Sequence, residues 1–204
     1  VTVKAPAELP YVVMTFRVPP LRDAERDWEP YALEMLAEVL SGSEAARLRR
    51  TLMREERLAS SASASYYGIA RGPGFFYLSA TPTPGKGVAE VEQALRREMR
   101  KIIDDGVTAD ELERVKAQAV AAHVYQRDSM FFQARQIGVM ELSGIPHGTI
   151  ELQLAKLREV TPEQVREVAR KYFQDDALTI ATLDPQPLAG RRPAPRPVGL
   201  RHAE

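Results

Sequence analysis

Two neighbouring segments decide the fold of this chain: Ala59-Ser60-Ser61-Ala62-Ser63-Ala64-Ser65-Tyr66-Tyr67 and Phe75-Phe76-Tyr77-Leu78-Ser79-Ala80-Thr81. Residues 68–74 between them contain three glycines and one proline, which are typical of a connection between strands. The two segments therefore predict an antiparallel β-hairpin. Residues 60–65 are all serine or alanine, so another backbone or a helix can approach this strand closely.

Further elements are predicted on either side of the hairpin. Residues 11–18 are rich in β-branched and aromatic side chains and are bracketed by prolines, and residues 178–183 form a similar strand. Apolar residues at helical spacing, with capping residues and terminal glycines, predict the helices. Their predicted ranges are 27–42, 43–57, 88–106, 108–143 with a restart near 128, 150–157 and 161–173.

The order of these elements predicts one α+β domain over residues 1–184. We expect two layers, in which a mainly antiparallel sheet is covered on one face by helices. Residues 185–204 are rich in proline and arginine and contain little to bury, which predicts a disordered tail. Residues 1–10, with prolines at 6 and 10, predict a linker cut from a longer chain.

The composition excludes several classes of protein. Lysine plus arginine and aspartate plus glutamate number 28 each among the 204 residues, so no net charge attracts nucleic acid as a partner. The absence of cysteine excludes disulfides and thiolate chemistry. It fits the bacterial periplasm and the cytoplasm equally well, so the localisation stays unknown. No apolar run reaches the roughly 20 residues of a transmembrane segment.

No complete catalytic or metal site can be assembled from the residues alone. The histidines, at 123, 147 and 202, lack a second ligand at the spacing that places two ligands on one helical face. His123, on a predicted helix, is interpreted as a packed or half-exposed residue. No Gly-x-Ser-x-Gly turn or Gly-x-x-x-x-Gly-Lys-Ser/Thr loop occurs, which disfavours a serine triad and a phosphate site. We therefore assign no catalytic residue and no metal ligand.

Several short motifs in succession resemble one known family. They are Ser41-Gly42-Ser43, Leu58-Ala59 with the small-residue strand, Phe75-Phe76-Tyr77-Leu78, Gly106-Val107-Thr108-Ala109-Asp110-Glu111-Leu112 and Val160-Thr161-Pro162-Glu163-Gln164-Val165. This succession covers roughly residues 5–184. It resembles the insulinase and processing-peptidase superfamily of zinc peptidases, peptidase family M16.

Members of that superfamily contain two homologous α+β halves. The first half holds zinc through an inverted motif, His-x-x-Glu-His with a distal glutamate, and the second half closes over the substrate. No His-x-x-Glu-His occurs here, so the resemblance implies the second, non-zinc-binding half of a bacterial zinc metallopeptidase. This half would form one wall of a peptide-binding chamber, opposite a zinc-bearing N-terminal domain absent from this chain. Zinc would belong to the full-length protein, and this fragment would bind none.

The second half in that superfamily also offers an arginine and a tyrosine, in the pattern Leu-Arg-x-x-x-x-Leu-x-Tyr. Both side chains approach the scissile carbonyl and could stabilise its developing negative charge. Aligning Leu52 and Leu58 with the two leucines puts Met53 at the arginine position and Ser60 at the tyrosine position. Neither role can therefore be assigned to the aligned residue.

Three residues near these positions are candidates for contact with substrate in the chamber. Arg54 lies one position after the expected arginine, and Tyr66 and Tyr67 lie six and seven residues beyond the expected tyrosine. The departure from the pattern also suggests that a homologous partner subunit supplies the arginine and the tyrosine.

Three classes of function stay open at this point. The resemblance favours a domain of a zinc endopeptidase that acts on peptides, and the fragment alone is expected to have no activity. The alternative within the family is a proteolytically inactive homologue with a role in structure or assembly. An unrelated α+β binding module would instead contain a complete ligand pocket of its own.

Overall fold

A five-stranded mixed sheet forms one layer of the computed structural model, which describes residues 1–126 and 128–187. The strand order is β1-β5-β2-β4-β3. Strands β1 and β5 are parallel, and the other three pairings are antiparallel. The strands are β1 (Thr2–Pro6), β2 (Tyr11–Val18), β3 (Ala59–Tyr67), β4 (Gly74–Pro82) and β5 (Leu178–Gln186).

The predicted hairpin is confirmed, and it places β3 at an edge of the sheet. Tyr67 pairs with Phe75 beside the connection. The small side chains of β3 allow the end of a helix to approach, as the sequence predicts: the Ser41 hydroxyl accepts a hydrogen bond from Ala64 N–H at 2.9 Å. The same hydroxyl donates to the Ala64 carbonyl oxygen, also at 2.9 Å.

Six α-helices are present in the described part of the chain. They are α1 (Glu29–Ser41), α2 (Val88–Asp105), α3 (Ala109–Gln126), α4 (Met130–Leu142), α5 (Ile150–Glu159) and α6 (Pro162–Tyr172). A π-helical segment, Arg49–Glu55, precedes β3, and short 3-10 turns occupy His147–Thr149 and Asp175–Ala177. No helix of the described residues is both long enough and apolar enough to cross a membrane.

The core lies between the sheet and the helices. Residues of β2 alternate, with Val12, Met14, Phe16 and Val18 buried, which is the pattern of a sheet covered on one face. Helices α1, α2 and α6 pack against that covered face. Phe173, at the end of α6, meets Phe16 edge-on with ring centroids 4.7 Å apart. The expected α+β fold, a mainly antiparallel sheet with one helical layer, is confirmed.

Strand β1 overturns the prediction of a linker for residues 2–6. The side chains of β1 are largely exposed, so they leave no alternating hydrophobic pattern in the sequence. Main-chain hydrogen bonds hold the strand instead: Thr182 N–H donates to the Val1 carbonyl oxygen at 2.9 Å. Pro6 ends the strand at the edge of the sheet, where the lack of an N–H group is tolerated.

Two further boundaries differ from the sequence prediction. The helix expected over 43–57 is confined mainly to the π-helical segment, where Glu56 N–H donates to the Thr51 carbonyl oxygen, five residues back. Strand β5 continues to Gln186, past the predicted end at 183, because its last residues pair with β1. The tail predicted for residues 185–204 lies, from residue 188 onward, outside the described residues.

Candidate functional site

Arg54, one of the predicted chamber residues, lies near the end of the π-helical segment. Its guanidinium Nη2 donates to Glu44 Oε2 at 2.8 Å, and both side chains are exposed. Met53, which takes the place of the expected arginine, is half-buried. Ser60, which takes the place of the expected tyrosine, is exposed and donates from Oγ to the Thr81 carbonyl oxygen at 3.2 Å.

The two candidate tyrosines lie at the opposite end of β3. The Tyr66 hydroxyl donates to the Pro19 carbonyl oxygen at 2.7 Å, and burial raises the pKa of that hydroxyl above its usual value. Tyr67 is 62% exposed, and its ring packs edge-on against Tyr77 with centroids 5.4 Å apart. Tyr67 thus presents an aromatic ring to solvent, whereas the Tyr66 hydroxyl is already engaged.

Strand β3 keeps Arg54 away from the tyrosines. A strand rises about 3.3 Å per residue, so Ser60 and Tyr67 are separated by roughly 23 Å. Arg54 comes before Ser60 in the chain, and Ser60 lies at the end of β3 opposite to Tyr67. The structure therefore does not bring Arg54 and Tyr67 together as a pair that could contact one carbonyl group.

A groove runs beside the tyrosines and was not anticipated from the sequence. Two adjoining cavities form it, of about 360 and 450 Å³, and they share Glu34, Glu38, Ile69 and Gln153 in their walls. One wall is α1 and the other is the end of β3 from Ala64 onward; helices α3, α4 and α5 close one end. Cavities of this size are typical of binding sites for small ligands or side chains.

Two carboxylates of α1 give the groove its charge. The pKa of Glu34 is raised to about 7, mainly because surrounding protein displaces water and secondarily because Glu38 lies one helical turn away. Desolvation also raises the pKa of Glu38. Solvent reaches Glu34 through the open side of the groove. In the sequence, two glutamates four residues apart on a helix whose other residues are mostly apolar are the signal that could have identified this pair.

No group of three or more His, Asp or Glu side chains in the described residues is placed to hold a metal ion. His147 lies at the surface, where its Nδ1 is 2.6 Å from Glu141 Oε1. The side chain of His123 and the whole of His202 fall outside what the structure describes. The described residues therefore do not fit the zinc that the resemblance implies for the full-length protein.

Comparisons with known sequences identify a family for the chain. A family model described as the peptidase M16 inactive domain matches residues 1–119. An uncharacterized zinc protease of Streptomyces coelicolor is 30% identical over 149 residues, which are 73% of this chain. The aligned part is 31% of that protein, so the chain spans about a third of the length of this curated relative.

Solved structures share the fold. A protease from Helicobacter pylori superposes with a TM-score of 0.81 at 20% identity, covering 90% of this chain and 43% of the other. The peptidase M16 inactive domain from Pseudomonas fluorescens superposes with a TM-score of 0.76 at 16% identity, covering 91% and 42%. The inactive peptidase domain of a Bordetella parapertussis protein is covered completely, with a TM-score of 0.77 at 19% identity. Because the family model matches more than half of its length, the chain belongs to the family of peptidase M16 inactive domains.

Proposed function

We propose that this chain is the non-catalytic C-terminal domain of a zinc metalloendopeptidase. The match to the inactive-domain family carries the proposal, because this family is defined by a domain of a peptidase that lacks the catalytic role. The Streptomyces coelicolor relative supports it, since that protein is named a zinc protease and is about three times as long as the aligned part.

In this function the domain forms one wall of a peptide-binding chamber. The groove beside α1 and the exposed ring of Tyr67 are concave and aromatic surfaces of the kind that hold peptides. Tyr66 and Tyr67 contribute to the wall of that groove. Arg54, exposed at the other end of β3, is the third candidate for contact with an extended substrate.

Zinc and water activation come from a partner in this proposal. A zinc-bearing N-terminal domain would face the groove and hold the metal, which would supply Lewis-acid chemistry and activation of a bound water. Because Met53 and Ser60 stand at the expected arginine and tyrosine positions, a homologous subunit supplies that pair. The oxyanion donors are then contributed in trans.

The test compares the full-length gene product with the 204-residue chain. Purified full-length protein is expected to contain bound zinc and to cleave an internally quenched, unstructured peptide. A chelator should abolish cleavage, and added zinc should restore it. The 204-residue chain should show no cleavage. Full-length protein without zinc and without cleavage would contradict the peptidase and favour the alternative, a structural or assembly role.

A second measurement tests the partner subunit. The full-length protein is assayed alone and with a homologue that lacks the zinc motif but contains Leu-Arg-x-x-x-x-Leu-x-Tyr. Removal of one oxyanion donor typically lowers kcat by about 10²-fold or more, so addition of the homologue should raise kcat by a comparable factor. An unchanged rate would show that the domain needs no donor from a partner.

A further inference from the structure

The groove beside α1 contains two acidic side chains that have no cationic partner in the described part of the chain. Among the described residues in its walls, Glu34 and Glu38 are the charged ones. Within residues 1–126 and 128–187, neither carboxylate forms an ion pair with a lysine, arginine or histidine. Like charges one helical turn apart repel each other, so ionisation of both carboxylates is unfavourable unless a cation lies beside them.

The end of α1 adds to this negative potential. A helix carries a partial negative charge at its C-terminus, and a basic residue in the last turn commonly offsets it. The last turn of α1 contains no basic residue. Glu38 lies close to this end, and its side chain leans against Gly42: a Cβ atom at position 42 would lie only 2.0 Å from Glu38 Oε2. Gly42 therefore leaves the space that the carboxylate occupies.

The other described residues in the walls of the groove are uncharged: some are apolar, some carry amides, and Tyr31, Ser65, Tyr66 and Tyr67 carry hydroxyl groups. The apolar side chains include Ile69, Ile150, Leu154 and Leu157, and the amides belong to Gln118, Gln126, Gln136 and Gln153. An aliphatic stem that ends in a cation matches such a surface, because the stem covers apolar side chains while the cation meets the carboxylates. Lysine and arginine are the protein side chains with this form.

A divalent metal ion is a poorer match. Calcium takes about six to eight oxygen ligands, and magnesium requires near-octahedral coordination. The groove offers two carboxylates, and the described residues contain no group of three acidic or histidine side chains placed around one point. The negative charge is thus better matched by a single extended organic cation.

We propose that the groove formed by α1 and the end of β3 binds a lysine or arginine side chain of a peptide, which Glu34 and Glu38 recognise together. This inference rests on the proposed function, because it assumes that peptides reach this wall of a chamber. It adds a charge preference at a defined place: a basic residue of the substrate lies beside α1, with its stem along Ile69.

Peptide binding to the 204-residue chain tests the inference directly. Four fluorescent peptides of serine, alanine and glycine differ only at a central arginine, lysine, glutamine or norleucine. Fluorescence anisotropy is measured at about 150 mM salt, where long-range attraction is screened. Charged hydrogen bonds add enough affinity that the arginine and lysine peptides should bind about tenfold or more tightly than the glutamine peptide.

The double variant Glu34→Gln/Glu38→Gln should reduce this affinity ratio to about one. Glu163→Gln/Glu167→Gln is the matched control, because these exposed glutamates of α6 also lie four residues apart and outside the groove. The control should keep the tenfold ratio. Since the groove variant removes a repulsive pair, its thermal unfolding midpoint should not fall below that of the unaltered chain.

Equal binding of the arginine and glutamine peptides would overturn the inference. So would an affinity ratio between these two peptides that stays at about tenfold in Glu34→Gln/Glu38→Gln. A third refuting result is saturable Mg²⁺ or Ca²⁺ binding that depends on both glutamates, observed while the arginine peptide does not bind. The outcome is separate from that of the peptidase assay. Arginine-dependent binding without proteolysis by the full-length protein would refute the proposed function and leave the groove assignment standing. Proteolysis without a charge preference would do the reverse.

Discussion

Replacement of Arg47 by methionine should destabilise the domain strongly, although Arg47 does not line the groove. Arg47 Nε donates to Glu111 Oε1 at 2.9 Å, and Nη2 donates to Glu111 Oε2 at 2.6 Å and to the Gly106 carbonyl oxygen at 3.1 Å. The two side chains are only 13% and 15% exposed. This bidentate pair joins the segment before the π-helix to the first turn of α3.

The expected loss follows from what remains after the substitution. Arg47→Met leaves the Glu111 carboxylate largely buried without its counter-ion, and breaking such a pair costs about 3–5 kcal/mol. Because both side chains retain some contact with water, we expect the lower end, about 3 kcal/mol. For a chain of this size each kcal/mol lowers the unfolding midpoint by about 2–4 °C, so the midpoint should fall by roughly 6–12 °C.

Thermal and urea unfolding, followed by circular dichroism, measure this loss. The double variant Arg47→Met/Glu111→Leu should recover most of the stability, because it replaces both charges with apolar groups. Arg97→Met is the control: Arg97 and Glu56, with Nη2 and Oε2 2.7 Å apart, are 50% and 33% exposed, and exposed pairs contribute under about 1 kcal/mol. A loss below about 1 kcal/mol for Arg47→Met, or a double variant no more stable than the single one, would refute the reasoning.

Two further predictions concern α1 and the end of α2. Folding raises the pKa of the Glu34 carboxyl from 4.5 to about 7, so the folded chain binds the carboxyl proton more tightly than the unfolded chain does. The Glu34 carboxylate therefore destabilises the folded state increasingly as pH rises through that interval. Glu34→Gln should therefore gain stability relative to the unaltered chain between about pH 5 and 8 in urea titrations, and a constant difference would contradict the shift. Gly106 has φ 76° and ψ −155°, a region almost restricted to glycine, so Gly106→Ala should cost about 1–3 kcal/mol. Gly138→Ala, on α4 with open space around it, should be neutral or stabilising in the same unfolding assay.

Local sequence features predicted the helices and strands in which buried and exposed side chains alternate at a regular spacing. The alternation in residues 11–18, the connection between β3 and β4, and the Thr161 cap are all present, with Gln164 N–H donating to Thr161 Oγ1 at 3.2 Å. Strand β1 could not be predicted in this way, because its stability comes from pairing with β5, 180 residues later in the chain. Exposed side chains carry no periodic signal of such a contact.

For the candidate site residues, too, the sequence identified local features but not contacts between distant segments. Arg54, Tyr66 and Tyr67 were selected by their distance in sequence from a pattern, but β3 separates the arginine from the tyrosines in space. Glu34 and Glu38 were not selected, because an acidic pair on a helix normally faces solvent. Only the packing of α1 beside the end of β3 and α3–α5 forms the groove in whose walls they lie.

The sequence by itself determined the α+β class, the hairpin, the Thr161 helix cap and the resemblance to the M16 family, because these depend on local periodicity, turn chemistry and short motifs. The tertiary structure alone decided the parallel β1–β5 pairing, the edge position of β3 and the acidic groove. Each of these depends on contacts between residues far apart in the chain, and the charge of a groove depends on which distant side chains fail to neutralise it.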